Sequence, residues 1–359
     1  MTLLALSILI LGIYDFHFYR SLRSEPLVRE PEQWPPISIL TCARDVREDL
    51  LRLTARWPEQ SYPAPVQWVV VDDGAFMPAD WSPQLPRDWT FTHVRLEEKE
   101  LPGKKGAVLA GWSHVEHDFI MSIDADCEPV HEDWLREMVR PLAEGRPAVL
   151  GYGDYRLGRG MLGRLIQLET VQTAMLYLSS ARRAKPYMAV GRNWGYRRWE
   201  GMEDDLRRDA DILSGDDSLL LHRRKPKEVG LRWNAAAHTI SDPPKSFGEW
   251  LRQKSRHAQA GTRFRTGPLL YIWTWHLAQA LFFFSIGALL LGDGHPVTAA
   301  FLVVSYVLVS TLLRYPFYKA LGKTSLLWWR WYYEPILLGF MFLWGLRSLR
   351  PRKTWSDRA

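Results

Sequence analysis

Two short apolar runs in this chain end at once in acids. Val69-Val70-Val71 runs into Asp72-Asp73, and Phe119-Ile120-Met121-Ser122-Ile123 runs into Asp124-Ala125-Asp126. An apolar run of this length reads as a strand buried on both faces, the usual state of strands in a parallel sheet. Carboxylates at the C-terminal tip of such a strand enter the crevice where open α/β sheets bind their ligands. Two tips of this kind limit the chain to a helix-covered, mostly parallel sheet with a charged cleft along one edge.

The surrounding sequence keeps that pattern. Apolar strands at Ile37 to Thr41, Val66 to Val71, Phe91 to Leu96, Phe119 to Ile123 and Ala148 to Gly151 alternate with helix-like stretches such as Asp45 to Trp57 and Lys105 to His117. No internal repeat or low-complexity tract interrupts them. Before this region, Ser24 to Pro36 carries Pro26, Pro31, Pro35 and Pro36 and reads as an extended linker, since proline disfavours helix at itself and at the preceding residue.

Both ends are apolar, which the mean hydropathy of -0.21 conceals by averaging. Leu3 to Tyr19 is nearly all apolar and is followed by Arg20 and Arg23, the order expected of a retained anchor rather than a cleaved signal. Asp15 and His17 fall late in this run, where polar groups commonly reach the interface. Leu269 to Leu291 and Val297 to Leu313 are each long enough to cross a hydrocarbon core of about 30 Å. A further segment, Leu326 to Leu346, holds Arg330, Glu334 and Pro335 among several tryptophans and tyrosines. A full crossing there would put the basic residues from Arg347 on the wrong side for the positive-inside rule, so a broken or re-entrant segment is expected. The organisation expected is an anchor at 1–23, a linker at 24–36, a folded domain at 37–266, transmembrane or interfacial helices at 267–346 and a basic tail at 347–359.

Composition excludes several classes. With 47% hydrophobic and 24% charged residues the chain is not disordered. A net charge of +6 admits nucleic acid, anionic lipid or diphosphate partners, but no basic, aromatic-interleaved nucleic-acid motif occurs, and arginines cluster beside the apolar ends. No nucleic-acid partner is expected. Cys42 and Cys127 lack metal-ligand spacing and do not make a disulfide framework, which suits reduced thiols in the cytosol.

Each polar motif has a chemical reading and a plain structural one. Asp72 and Asp73 can hydrogen-bond a nucleobase edge or ribose hydroxyl, with Thr41 to Arg44, including Ala43, walling the same pocket; a solvated Asp-Asp-Gly turn is the alternative. Asp124 and Asp126 project to one side of an extended chain and offer hard oxygen ligands suited to Mg or Mn. Lys104 and Lys105, opening a helix after Gly103, can meet a phosphate or remain loop lysines. Asp216-Asp217 is an N-cap or a general base. Gln253 and Arg256 share a helix face beside His257, facing ligand or solvent.

The order of these motifs resembles the family 2 glycosyltransferases, inverting enzymes with a GT-A fold, and especially membrane-bound members related to cellulose and hyaluronan synthases. The likeness spans about Pro36 to Gly261. It rests on Pro36-Ile-Ser-Ile-Leu-Thr-Cys-Ala-Arg44-Asp45, Val70-Val71-Asp72-Asp73-Gly74, Gly103-Lys-Lys-Gly106-Ala107, Asp124-Ala-Asp126-Cys-Glu-Pro129, Gly191-Arg-Asn193-Trp-Gly-Tyr196-Arg197, Gly215-Asp216-Asp217 and Gln253-Lys-Ser-Arg256-His257.

The resemblance implies a nucleotide-diphospho-sugar transferase domain, Rossmann-like, held in the cell (inner) membrane with its catalytic part cytoplasmic. It implies that Asp73 with Asp72 holds uridine, that Asp124 and Asp126 hold nucleotide and a Mg or Mn ion, and that Asn193 lies on the acceptor side. Asp217, paired with Asp216, would be the general base, and Gln253 with Arg256 would close over the diphosphate. His257 stands where the family has a tryptophan that contacts the acceptor sugar. With fewer spans than a polymer-secreting synthase needs, this implies transfer of a single sugar from a UDP-sugar to a lipid or glycan acceptor. A processive synthase and a catalytically silent scaffold are the rival readings.

Overall fold

The computed structural model describes residues 1–74, 77–224, 226–291 and 296–348. Its strands are β1 (Ile37–Ala43), β2 (Val66–Asp72), β3 (Trp89–Arg95), β4 (Phe119–Ser122), β5 (Cys127–Pro129), β6 (Ala148–Gly151), β7 (Gly153–Tyr155), β8 (Trp194–Arg197), β9 (Gly230–Arg232) and β10 (Thr239–Ser241). Its helices are α1 (Thr2–Ile13), α2 (Arg47–Thr54), α3 (Lys104–Trp112), α4 (Trp134–Ala143), α5 (Gly160–Arg182), α6 (Met202–Arg207), α7 (Ser218–Arg224), α8 (Phe247–Gly261), α9 (Thr266–Leu291), α10 (Pro296–Ala320) and α11 (Thr324–Ser348).

Seven strands form the main sheet in the order β3-β2-β1-β4-β8-β6-β9. The half from β3 to β4 is parallel, while β8 runs antiparallel to both β4 and β6. Along β2, Val69 and Val71 enter the core under α3, and Trp68 and Val70 enter the core under α2 and α4. That alternation follows from the two-residue period of a strand and explains why the run is apolar throughout. Helix α3 lies close on the sheet because Gly111 faces it: a Cβ there would sit 2.4 Å from Leu40 Cδ1. A smaller sheet, β5-β10-β7, stacks beside the cleft.

The linker is not a free tether. Glu25 accepts hydrogen bonds from the backbone N–H groups of Trp233 and Asn234 and pairs with Arg232 at 3.2 Å, and the Pro35 carbonyl accepts from Tyr62 Oη at 2.6 Å.

Three helical segments, Thr2–Leu22, Thr266–Leu291 and Pro296–Ala320, are long and apolar enough to cross a membrane. The first continues beyond α1 through a wider turn at Tyr14–Phe18. There Asp15 does not reach an interface: it is buried against Arg314 of α10, Nε to Oδ1 at 2.6 Å. The segment expected to be broken is instead continuous as α11, with Pro335 inside it. Its charges turn inward, Arg330 toward Glu334 at 3.4 Å and toward Ser310 Oγ at 2.7 Å. Of the expected basic tail, Arg347 lies in the last turn of α11; Arg350, Arg352 and Lys353 lie outside the described residues.

Candidate active site

The acids at 124, 126, 216 and 217 share one cleft of about 2380 Å³. Asp124 and Asp126 arrive on the turn after β4; Asp216 and Asp217 arrive on the loop before α7. Lys104, first residue of α3, joins the two groups. Its Nζ lies 2.5 Å from Asp124 Oδ1 and 2.9 Å from Asp216 Oδ2. Burial alone would lower the lysine pKa, but these two carboxylates overrule it and hold the ammonium well above its usual range.

Asp217 accepts from the Gly191 N–H through Oδ2 at 2.5 Å and from the Ser218 N–H through Oδ1. Protein packs closely round it although it faces the cleft, and that burial, with Asp216 next in weight, pushes its carboxyl up to about 6 against the pull of Lys104. Gly191 is small for a reason visible here. A Cβ on it would lie 3.2 Å from Asp217 Oδ2, 3.3 Å from Lys104 Nζ and 3.4 Å from Asp124 Oδ1, in the centre of the cluster.

A hard divalent cation fits this donor set. Ligand oxygens of Asp124 and Asp126 and the Cys127 sulfur lie within 4.8 Å of one another, and Lys104 already places one positive charge on Asp124. Protein surrounds Asp126 although water reaches it through the cleft; that packing, then the neighbouring Asp124, raises its pKa. Cys127 is a poor partner for a hard ion, because burial, then Asp126, pushes its thiol well above the usual range. The two aspartates, with oxygens of a bound diphosphate, are the ligands the site can offer.

Helix α8 supplies the opposite wall with Gln253, Arg256 and His257. Gln253 Nε2 donates to Tyr155 Oη at 3.1 Å. His257 opens onto the cleft; the protein packed round its ring, then Lys254 and Arg256, pushes its pKa down. Arg44, Cys42 and Gly74 line the far end of the cleft.

Several expected residues support the cleft from behind rather than line it. Thr41 accepts from the Trp68 indole at 3.1 Å, and Ala43 is buried in the core under α2. Asp72 accepts from the Met77 N–H at 2.9 Å, and Asp73 pairs with Lys99 behind Arg44, whose Nη1 is 3.9 Å away. Lys105 turns from its neighbour into the interior, where its Nζ donates to the carbonyls of Asp209, Ile212 and Ser214 and so pins the loop carrying Asp216 and Asp217. Asn193 is fully buried, donating to the Tyr152 and Ala237 carbonyls and accepting from the Trp134 indole.

Two features of the cleft were not singled out from the sequence. Arg192 lies in it with its guanidinium 4.1 Å from the Tyr155 ring centroid, fixed by the Asp154 carbonyl and Ser241 Oγ. Its place between Gly191 and Asn193 was the available signal. Glu169 of α5 and Lys254 of α8 form a 2.5 Å pair across the wall, a contact between distant segments with no local signature.

Comparison with known proteins completes the assignment. A model described as Glycosyl transferase family group 2 matches residues 119–346, and one described as Glycosyl transferase family 2 matches residues 38–198. The chain belongs to this family. It is a glycosyltransferase, and its fold is GT-A. Among solved structures, the mannosyltransferase PcManGT from Pyrobaculum calidifontis, in complex with GDP-Man and Mn2+, is similar over 98% of each chain with 16% identity and a TM-score of 0.56. That likeness speaks for the fold. Glucosyl-3-phosphoglycerate synthase from Mycobacterium tuberculosis, in complex with Mn2+ and UDP-glucose, matches 63% of this chain and 76% of its own at 14% identity and a TM-score of 0.40. S. aureus TarS 1-349 matches 80% of this chain and 89% of its own at 13% identity and a TM-score of 0.39. No curated protein sequence matches the chain.

Proposed function

We propose that this glycosyltransferase is held in the cell (inner) membrane with its catalytic domain cytoplasmic, and that it transfers one sugar, with inversion, from a UDP-sugar to a lipid or lipid-linked acceptor. The observation that carries the reading is the continuity of the cleft. From the carboxylate cluster the same cavity passes between α5 and α8 and ends among Leu269, Trp273 and Leu277 of α9 and Leu338, Met341 and Phe342 of α11. One end suits a charged diphosphate and the other a hydrocarbon chain.

In this reading the nucleotide lies beside Arg44 and Gly74, with Asp73 and Asp72 behind them. Asp124 and Asp126 are the residues to hold a Mg or Mn ion, which when bound neutralises charge on the diphosphate. Lys104, Arg192 and Arg256 supply fixed positive charge for the same phosphates, and Gln253 and His257 contribute hydrogen bonds without adding charge. Asp217 takes the proton of the acceptor hydroxyl as that oxygen attacks the anomeric carbon opposite the leaving phosphate. The two backbone N–H groups on Asp217 fix its direction, and its raised pKa makes it a better base than an ordinary aspartate. His257 in place of tryptophan favours a single transfer over polymer extrusion.

Membranes carrying the protein are incubated with labelled UDP- and GDP-sugars, and the lipid extract is analysed by mass spectrometry. A lipid bearing one added sugar from a UDP donor is expected. Polymer, or label confined to water-soluble products, would reject the reading.

A further inference from the structure

Helix α11 is long enough to cross a bilayer, at 25 residues or roughly 37 Å, yet the catalytic domain holds it along its whole length. In the turn before it, Lys323 pairs with Asp154 of β7 at 2.7 Å. Midway, Glu334 accepts from Gln172 of α5 at 2.9 Å. Near its end, Phe340 stacks on Phe247 of α8 at 5.1 Å between centroids, and Trp344 meets Trp250 of α8 at 5.4 Å. A helix standing across a hydrocarbon layer of about 30 Å would carry its far end clear of a domain on the near side. Contact at start, middle and end lays α11 against the underside of that domain.

Its other face is a continuous exposed stripe. Trp328, Tyr332, Pro335, Gly339, Phe342 and Leu346 recur every three or four residues, and none is charged. Arg330 and Glu334, the charges that spoil this segment as a span, are 1% and 3% exposed on the inward face. An uncharged stripe of this length facing water would be an association hazard, whereas a helix at the headgroup boundary normally carries one. Trp328, Trp329 and Tyr332 suit that boundary. Charge sidedness agrees. With α11 in the plane, Arg347 near its end falls on the same side as Arg20 and Arg23.

We propose that α11 does not cross the membrane but lies in its cytoplasmic face, docked on the catalytic domain by one side and on lipid by the other. Trp273 and Leu277 of α9 and Met341 and Phe342 of α11 then frame the cleft mouth where a spanning helix meets an in-plane one, open sideways to lipid at headgroup depth. This inference rests on the membrane placement proposed above.

The test uses the full chain in nanodiscs of phosphatidylcholine and phosphatidylglycerol. Nitroxide labels are placed singly on cysteines introduced at Trp328, Tyr332, Phe342 and Leu346 of α11 and at Phe301, Val304, Leu308 and Leu312 of α10, the native Cys42 and Cys127 being buried. Depth is read from relaxation by oxygen against relaxation by a water-soluble nickel chelate. The α11 labels should share one shallow depth, while the α10 labels pass through the bilayer centre. Depths along α11 that run from one surface to the other would overturn the proposal and leave the membrane placement standing; water exposure along α10 would sink both. A fluorescent tag after Ala359, on an otherwise unaltered chain, gives an independent readout: it should be quenched from the same side as the catalytic domain, and quenching from the opposite side would overturn the proposal.

Discussion

Two clusters of charge differ in balance and in access. In the cleft, Asp124, Asp126, Asp216 and Asp217 gather around Lys104, which pairs with two of them, and water reaches the group. Between the apolar helices, Asp15 and Glu334 meet Arg314 and Arg330, two acids with two bases, each at 3% exposure or less. The first cluster is an acidic excess that gains by receiving a cation. The second is already neutral and gains nothing from a ligand, so its worth lies in fixing helices against one another. The lesson is that charge balance, more than burial, separates a site from a staple.

Breaking each cluster should therefore give different symptoms. The largest effect is expected of Asp126→Ala, which should abolish manganese-dependent nucleotide binding; calorimetry showing UDP affinity that still rises with manganese would refute the ligand assignment. Asp217→Asn should keep donor binding while turnover falls by about 10²- to 10⁴-fold, the common worth of a general base, as read by product formation at saturating donor. Arg314→Met should leave Asp15 charged and unpartnered, at a cost of about 3–5 kcal/mol. Thermal unfolding in detergent should show that loss, and Asp15→Leu with Arg314→Met together should recover most of it. If the single and double variants unfold alike, the pair is not a staple.

The cleft cluster also predicts a pH dependence that the neutral one does not. Asp217 must be ionised to accept a proton, so kcat/KM should fall by about tenfold per unit as pH drops below a midpoint near the 6 to which burial raises it. Asp216→Asn removes the second contributor to that rise and should move the midpoint lower; a midpoint unmoved by this change would argue that another group controls the limb. The smallest effect is expected of Gly191→Ala. Its methyl would press on Asp217, Lys104 and Asp124 at 3.2–3.4 Å, and an activity loss of about tenfold, the result of a shift of order 1 kcal/mol, should appear with unfolding temperature unchanged.

The parallel half of the sheet could be read directly, because strands buried on both faces must be apolar and their tips must carry whatever the cleft needs. The strands β5, β7, β9 and β10 could not, since three residues are too few to display a period. Adjacent lysines look alike in a sequence, but successive side chains on a helix point about 100° apart, which sends Lys104 into the cleft and Lys105 to the carbonyls beneath it. Asn193 looked like a ligand group because it is polar within a motif; its three hydrogen bonds to core partners are long-range and leave no local trace. Asp15 stood out as an odd residue in an apolar run, but its partner lies 299 positions away. In α11 the aromatic content was legible, whereas the continuity of the helix through Pro335 depended on tertiary packing.

The clasp at Glu25 has a mechanical consequence. Because four groups of residues 232–234 grip that one carboxylate, the proline-rich stretch behaves as a strut rather than a leash. On the membrane placement proposed above, a leash would let the catalytic domain swing away from the bilayer, whereas a strut holds its height and tilt constant.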